Sequence, residues 1–139
     1  MVGIMGVRQR QATGPGMSDS PVTIFHNPAC GTSRAALALL RAAGHEPEVV
    51  EYLKVGWTRP QLEALLARMG ATPRDLLRRR GTPAAELGLL DPAVPDVRIL
   101  DAMLAHPVLV ERPIVTTPKG AALCRPAERV HALLEGPTG

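Results

Sequence analysis

The sequence predicts an α/β fold, in which helices separate the two halves of a mixed four-stranded sheet. Three observations predict it: a strand–helix–strand pattern near the start, a hairpin followed by a helix at the end, and amphipathic helices between them. The 139 residues suffice for one domain with a substantial core. We assign residues 21–139 to this domain, with the helical insertion at about 58–106, and interpret residues 1–20 as a disordered tail or a start assigned too early.

The first half is a βαβ unit. Residues 22–26 form a short, β-branched apolar run that ends at Asn27-Pro28, which is typical of a strand entering a turn. A helix follows, with its apolar residues on one face and Gly44 as its C-terminal stop. Residues 48–53 read as a second strand, and a right-handed crossover makes the two strands parallel.

The sequence pattern in the middle of the chain predicts three helices. Thr58 caps the first, and a Thr72-Pro73 start with Asp75 in a capping-box position opens the second. The third runs from about Asp96 to just before Pro107, after a Pro- and Gly-rich link over residues 81–95.

The second half is a ββα unit. Residues 114–117 and 121–124 flank a turn and read as a hairpin, and Pro126 opens a last helix. The order βαβ, helical block, ββα is that of a thioredoxin-like fold with a helical insertion between its halves.

Composition excludes several classes of protein. Aromatic residues make up only 2% of the chain, which argues against nucleic-acid modules that stack bases on aromatic rings. No apolar stretch approaches the roughly 20 residues of a membrane span, so we expect neither a nucleic-acid nor a membrane partner. Two cysteines are too few for a disulfide-stapled secreted domain, so a cytoplasmic location is expected.

Cys30 is the candidate nucleophile, because it lies in the turn between the first strand and the first helix. Unpaired amides and the positive end of the helix dipole favour a thiolate there, and the same amides suit a bound oxyanion. Gly31 permits close approach, while Thr32 and Ser33 add hydroxyl groups. The alternative is a buried, inert cysteine. No Cys-x-x-Cys or His pair indicates a metal, and Ser33 leaves Cys30 without a local resolving partner.

Four motifs carry a family resemblance. VTIFHNPACGTSR, then LLRRR with ELGL, then HPVLVERPIV, then TTPKGAALCRP occur in this order over roughly residues 22–134. In these motifs the chain resembles the glutaredoxin-linked arsenate reductases of the thioredoxin fold.

The resemblance implies a set of site residues. Cys30 matches the family's nucleophile, and Arg78, Arg112 and Arg125 match three arginines that surround the bound oxyanion. Read alone, each arginine is interpreted first as a solvated surface side chain, although Arg112 and Arg125 flank the hairpin, each precedes a proline, and the two can therefore converge. His26 is a candidate helper that holds the thiolate, or a plain strand-end histidine.

Other residues keep simpler interpretations. Ser33 is a helper hydroxyl or a helix cap. Pro113 falls where thioredoxin-like folds keep a cis-proline, which a sequence does not reveal. Cys124 is interpreted as structural, and Arg79 and Arg80 as solvated charges.

The implied reaction is the reduction of arsenate to arsenite without a bound cofactor. Cys30 attacks arsenate, glutathione acts as co-substrate, and glutaredoxin or a similar thiol donor resolves the mixed disulfide. Two alternatives stay open: a related thiol–disulfide oxidoreductase that does not act on arsenate, and a thioredoxin-fold regulator that binds RNA polymerase. The second usually switches through a Cys-x-x-Cys disulfide, which Ser33 rules out here.

Overall fold

A computed structural model describes residues 21–134. The interpretation of residues 1–20 and the end of the domain, residues 135–139, lie outside the described residues. Among those described, no helix is both long and apolar enough to cross a membrane.

The four strands form one mixed sheet. They are β1 (Thr23–Phe25), β2 (Glu48–Val50), β3 (Ile114–Thr117) and β4 (Gly120–Leu123). The spatial order is β2-β1-β3-β4, with β1 and β2 parallel and the other neighbours antiparallel. The predicted α/β class and thioredoxin-like sheet are therefore confirmed.

The helices fall into three groups along the chain. The first half holds α1 (Gly31–Ala42) and α2 (Tyr52–Val55), and the segment between the sheet halves holds α3 (Arg59–Met69) and α4 (Asp96–Ala105). Single 3-10 turns cover Pro73–Leu76, Pro107–Leu109 and Ala127–Arg129, and the last one leads into α5 (Val130–Leu134).

Side-chain alternation divides the core between the two faces of the sheet. Ile24 and Val115 pack with α1 and α5 on one face. Phe25 and Ile114, their chain neighbours, pack with the inserted helices on the other face. The inserted helices cover this second face together with Tyr52, Trp57 and the turn at Leu109.

Two predicted elements differ from the structure. The second strand stops at Val50 rather than residue 53, because Tyr52 turns inward, becomes fully buried and donates its hydroxyl to the Val110 carbonyl at 3.3 Å. The helix expected after Thr72 is only one 3-10 turn, although its Thr72–Asp75 capping box forms. Beyond this turn the chain extends so that Leu77 pairs with Val110 in an isolated β-bridge.

Candidate active site

Cys30 occupies the N-cap position of α1, where sequence reasoning placed it. The loop before it is held by two hydrogen bonds: the Cys30 amide donates to the Asn27 carbonyl at 2.9 Å, and the Ala29 amide donates to Asn27 Oδ1 at 2.9 Å. The Cys30 side chain makes no capping hydrogen bond, and it is partly exposed. The sulfur therefore sits at the amide end of α1, within reach of solvent.

The surroundings of Cys30 favour its thiolate. Burial raises the pKa of the thiol, because it removes charge from water. Hydrogen bonds to the sulfur oppose this effect; they come from the Ser33 amide, the Arg112 and Arg125 side chains and the Thr32 amide. Together they outweigh burial, so the pKa of Cys30 lies below that of an ordinary thiol.

Two arginines from the ends of the hairpin converge on this sulfur. Arg125 Nη1 lies 3.7 Å from Cys30 Sγ and donates a 2.9 Å hydrogen bond to the Arg112 carbonyl. The Arg112 guanidinium has two buried nitrogens, Nε and Nη1, without any hydrogen-bond partner. Buried polar groups are normally paired, so these two donors mark a place prepared for an acceptor.

Arg78 reaches the same region from the inserted segment. Its amide donates to the Leu109 carbonyl at 2.7 Å, beside the bridge that joins Leu77 to Val110. Its Nη1 lies 2.8 Å from Glu111 Oε1, and both side chains are largely buried, at 17% and 23% exposure. Arg78 is therefore held in place by a carboxylate.

A cavity of about 380 Å³ opens beside these arginines. Leu77, Arg78, Arg79, Arg80, Glu111 and Arg125 line it, and we call it the arginine cavity. Arg79 and Arg80 are exposed, as expected from the sequence, but they contribute to this cavity rather than to an isolated surface.

His26 and Ser33 form a buried pair behind the cysteine. His26 Nδ1 lies 2.6 Å from Ser33 Oγ, which also accepts a 3.1 Å hydrogen bond from the Asn27 amide. Since the Ser33 oxygen accepts from Asn27, its hydroxyl is free to donate to a neutral His26. Burial lowers the pKa of His26, which agrees with that neutral form.

The residues that follow Cys30 present backbone amides to its sulfur. The Ser33 hydroxyl is engaged with His26 rather than with an open anion site, and both Thr32 and Ser33 face the sulfur through their amides. A Cβ at Gly31 would meet only the Arg34 side chain, at an ordinary 3.8 Å. Pro113 follows Arg112 through a cis peptide bond.

Sequence reasoning missed two residues of the site. Tyr52 is fully buried, and burial raises its pKa to about 12, against the opposing charge of Arg112. Glu111, the partner of Arg78, precedes Arg112 directly. The only sequence feature that could have indicated Glu111 was its place directly before Arg112 in the HPVLVERPIV motif. Nothing in the sequence pattern pairs it with Arg78.

Cys124 is unlike Cys30. It is fully buried between the sheet and α1 and α5, and burial raises its pKa to about 11. Both cysteines are free thiols. Within residues 21–134, no group of three or more His, Cys, Asp or Glu side chains is arranged to hold a metal ion.

The fold and this site define a thioredoxin-like protein with one partly exposed, arginine-flanked thiol at a helix N-terminus. The chain belongs to the ArsC family, whose sequence model matches residues 25–133. It is 56% identical over 119 residues to an arsenate reductase of Synechocystis sp., covering 86% of this chain and 83% of the relative. The arsenate reductase of Escherichia coli is 50% identical over 115 residues, covering 83% and 82% of the two chains.

A solved structure agrees in the fold. The arsenate reductase from Vibrio cholerae superposes with a TM-score of 0.77 at 38% identity, covering 81% of this chain and 97% of that one.

Proposed function

We propose that this protein reduces arsenate to arsenite, with Cys30 as the nucleophile and Arg78, Arg112 and Arg125 as the oxyanion site. The observation that carries the proposal is the pair of buried, unpartnered Arg112 donors beside a thiol with a lowered pKa. Arg125, 3.7 Å from the sulfur, adds a second guanidinium. A doubly charged tetrahedral oxyanion supplies the acceptors that such donors lack.

The first step forms a bond between Cys30 and arsenic. The thiolate attacks the As(V) centre, and one arsenate oxygen leaves as water after it has taken up protons. Arg112 and Arg125 neutralise the charge on the remaining oxygens, and the amides of Thr32 and Ser33 give further donors at the helix start.

The second step transfers two electrons to arsenic. A glutathione thiolate attacks the Cys30 sulfur, the S–As bond breaks, and arsenic keeps the bonding pair as As(III) in arsenite. Cys30 is left in a mixed disulfide with glutathione. Glutaredoxin, or another dithiol donor, then returns Cys30 to its thiol by disulfide exchange.

His26 and Ser33 support the loop that carries Cys30 and do not contact the oxyanion in this proposal. Their 2.6 Å contact and the Ser33 bond to the Asn27 amide fix the turn that carries Cys30. We infer that both are positioning residues, and that Gly31 contributes only backbone to the anion site. We also place the reaction in the cytoplasm, where the glutathione pool keeps thiols reduced.

Steady-state arsenate reduction with glutathione and glutaredoxin tests the proposal. Cys30→Ser should abolish arsenite formation, whereas Cys124→Ser should retain most of it. Equal loss in both variants would require a two-cysteine mechanism. Reduction of 2-hydroxyethyl disulfide without any reduction of arsenate would instead assign the site to thiol–disulfide exchange.

A further inference from the structure

The proposed reaction needs a second thiol that the chain does not supply. Cys30 and Cys124 are the only cysteines, and Cys124 is fully buried with a pKa raised to about 11. A thiol in that state is neither accessible nor ionised near neutral pH. The second thiol must therefore approach Cys30 from solvent.

The arginine cavity is connected to Cys30 through Arg125. Arg125 lines the cavity, and its Nη1 lies 3.7 Å from Cys30 Sγ, so the cavity and the reacting sulfur share this one side chain. Its volume of about 380 Å³ falls in the range of small-molecule pockets, roughly 300–1,000 Å³. A protein thiol donor would rely instead on a broader contact, of about 800 Å² on each partner.

The four arginines that line the cavity differ in whether their side chains already have partners. Arg78 is paired with Glu111, and Arg125 is bonded to the Arg112 carbonyl and faces Cys30. Arg79 and Arg80 are exposed, and neither side chain forms an ion pair or hydrogen bond with another described residue. Within residues 21–134, two guanidinium groups therefore have no partner, beyond those assigned to the oxyanion.

We propose that Arg79 and Arg80 bind the carboxylates of a small peptide thiol, glutathione, and so direct its sulfur towards Cys30. The inference rests on the proposed function, since it assigns a docking site to the co-substrate of that reaction. Guanidinium groups bind carboxylates through paired N–H donors, and the tripeptide carries two carboxylates. The arrangement gives Arg79 and Arg80 a role in selecting the donor, separate from the binding of the oxyanion.

The experiment uses disulfide exchange, which requires no arsenate. The Cys30 thiolate attacks one sulfur of oxidised glutathione, a mixed disulfide forms, and one glutathione leaves as its thiolate. Mass spectrometry with peptide mapping gives the second-order rate for the reduced full-length chain. Cystamine, which is cationic, and 2-hydroxyethyl disulfide, which is neutral, serve as matched reagents.

We compare wild type with Arg79→Gln, Arg80→Gln and the double variant, and use Arg98→Gln on α4 as the control for lost surface charge. The double variant should react with oxidised glutathione on the order of five- to tenfold more slowly, as expected for two exposed charge pairs. Its rate with 2-hydroxyethyl disulfide should be unchanged. In steady-state assays, KM for glutathione should rise while KM for arsenate stays constant.

Three results would overturn the assignment. Equal slowing with all three disulfides would mean that the substitutions alter Cys30 itself, and equal slowing in Arg98→Gln would mean a general charge effect. A defect limited to the glutaredoxin-dependent step would assign the two arginines to a protein thiol. Because no arsenate is present, failure of the protein to reduce arsenate would leave the exchange result standing, and the two proposals fail separately.

Discussion

Arg112→Lys is the substitution that tests the oxyanion site most directly. The Arg112 Nε and Nη1 atoms are buried and unpartnered, and the Arg112 side chain also lowers the pKa of Cys30. Lysine keeps the positive charge but replaces the planar fork with a single ammonium group. At least one charge-assisted hydrogen bond to the oxyanion is then lost, which costs about 1.5–3 kcal/mol. We expect kcat/KM for arsenate to fall roughly tenfold to hundredfold.

Two assays measure this loss. The first is steady-state arsenate reduction by wild type, Arg112→Lys and the control Arg98→Lys. The second is thermal unfolding with inorganic phosphate as a non-reducible oxyanion. A ligand at 100 times its Kd stabilises a protein by about 2.7 kcal/mol. A tenfold loss of affinity should remove about 1.4 kcal/mol of that gain in Arg112→Lys.

If Arg112→Lys matches wild type in kcat/KM and in its stabilisation by phosphate, the two buried donors do not contact the oxyanion. The arsenate site would then have to lie elsewhere around Cys30. A parallel loss in Arg98→Lys, which also keeps its charge, would show that the assays report a general effect of replacing arginine by lysine rather than the fork of Arg112.

Three further predictions concern individual groups. Iodoacetamide should modify Cys30 below the pH range of an ordinary thiol, since the pKa of Cys30 is lowered and that of Cys124 is raised; preferential labelling of Cys124 would contradict this. Burial lowers the pKa of His26 in the folded protein. As the pH falls, the histidine of the unfolded chain is therefore protonated first, near pH 6.5. The free energy of unfolding should fall as the pH drops below that value. His26→Gln should flatten this dependence in urea unfolding at several pH values. Glu111→Gln should tighten phosphate binding by up to about fivefold in calorimetry, because it frees Arg78; weaker binding would show that Glu111 mainly orients that arginine.

The parts of the fold that could be predicted are those decided by local sequence. The caps at Thr58 and Gly70 and the apolar periodicity of α3 act within a few residues, and the structure confirms the helix there. The α2 helix could not be predicted, because the burial of Tyr52 and its bond to Val110 decide it, across 58 residues of sequence. A β-branched run followed by Tyr52 predicts a strand, because the sequence does not show that Tyr52 will bond to Val110.

In the candidate site, too, the features set by neighbouring residues could be predicted, and those set by long-range contacts could not. The strand–turn–helix pattern was enough to place Cys30 at a helix start, since that position depends only on neighbouring residues. The Arg78–Glu111 pair spans 33 residues and depends on the bridge between Leu77 and Val110. No spacing rule connects two such segments, because their contact is set by how the inserted helices pack on the sheet.

The two cysteines show why sequence neighbours are a poor guide to the electrostatics of a site. Arg125 directly follows Cys124 in the chain, yet its guanidinium lies 3.7 Å from Cys30 Sγ, 95 residues away in sequence. The Cys124 thiol instead lies 3.7 Å from the Ala122 carbonyl, an acceptor that gives no support to a thiolate. Burial therefore acts on Cys124 with little opposition and raises its pKa, whereas at Cys30 the arginines and amides reverse the effect of burial. Because Arg125 faces Cys30, while the charge of Arg129 does not outweigh burial at Cys124, Cys30 is the better nucleophile near neutral pH, and the proposed reductive cycle would take its second thiol from outside the chain.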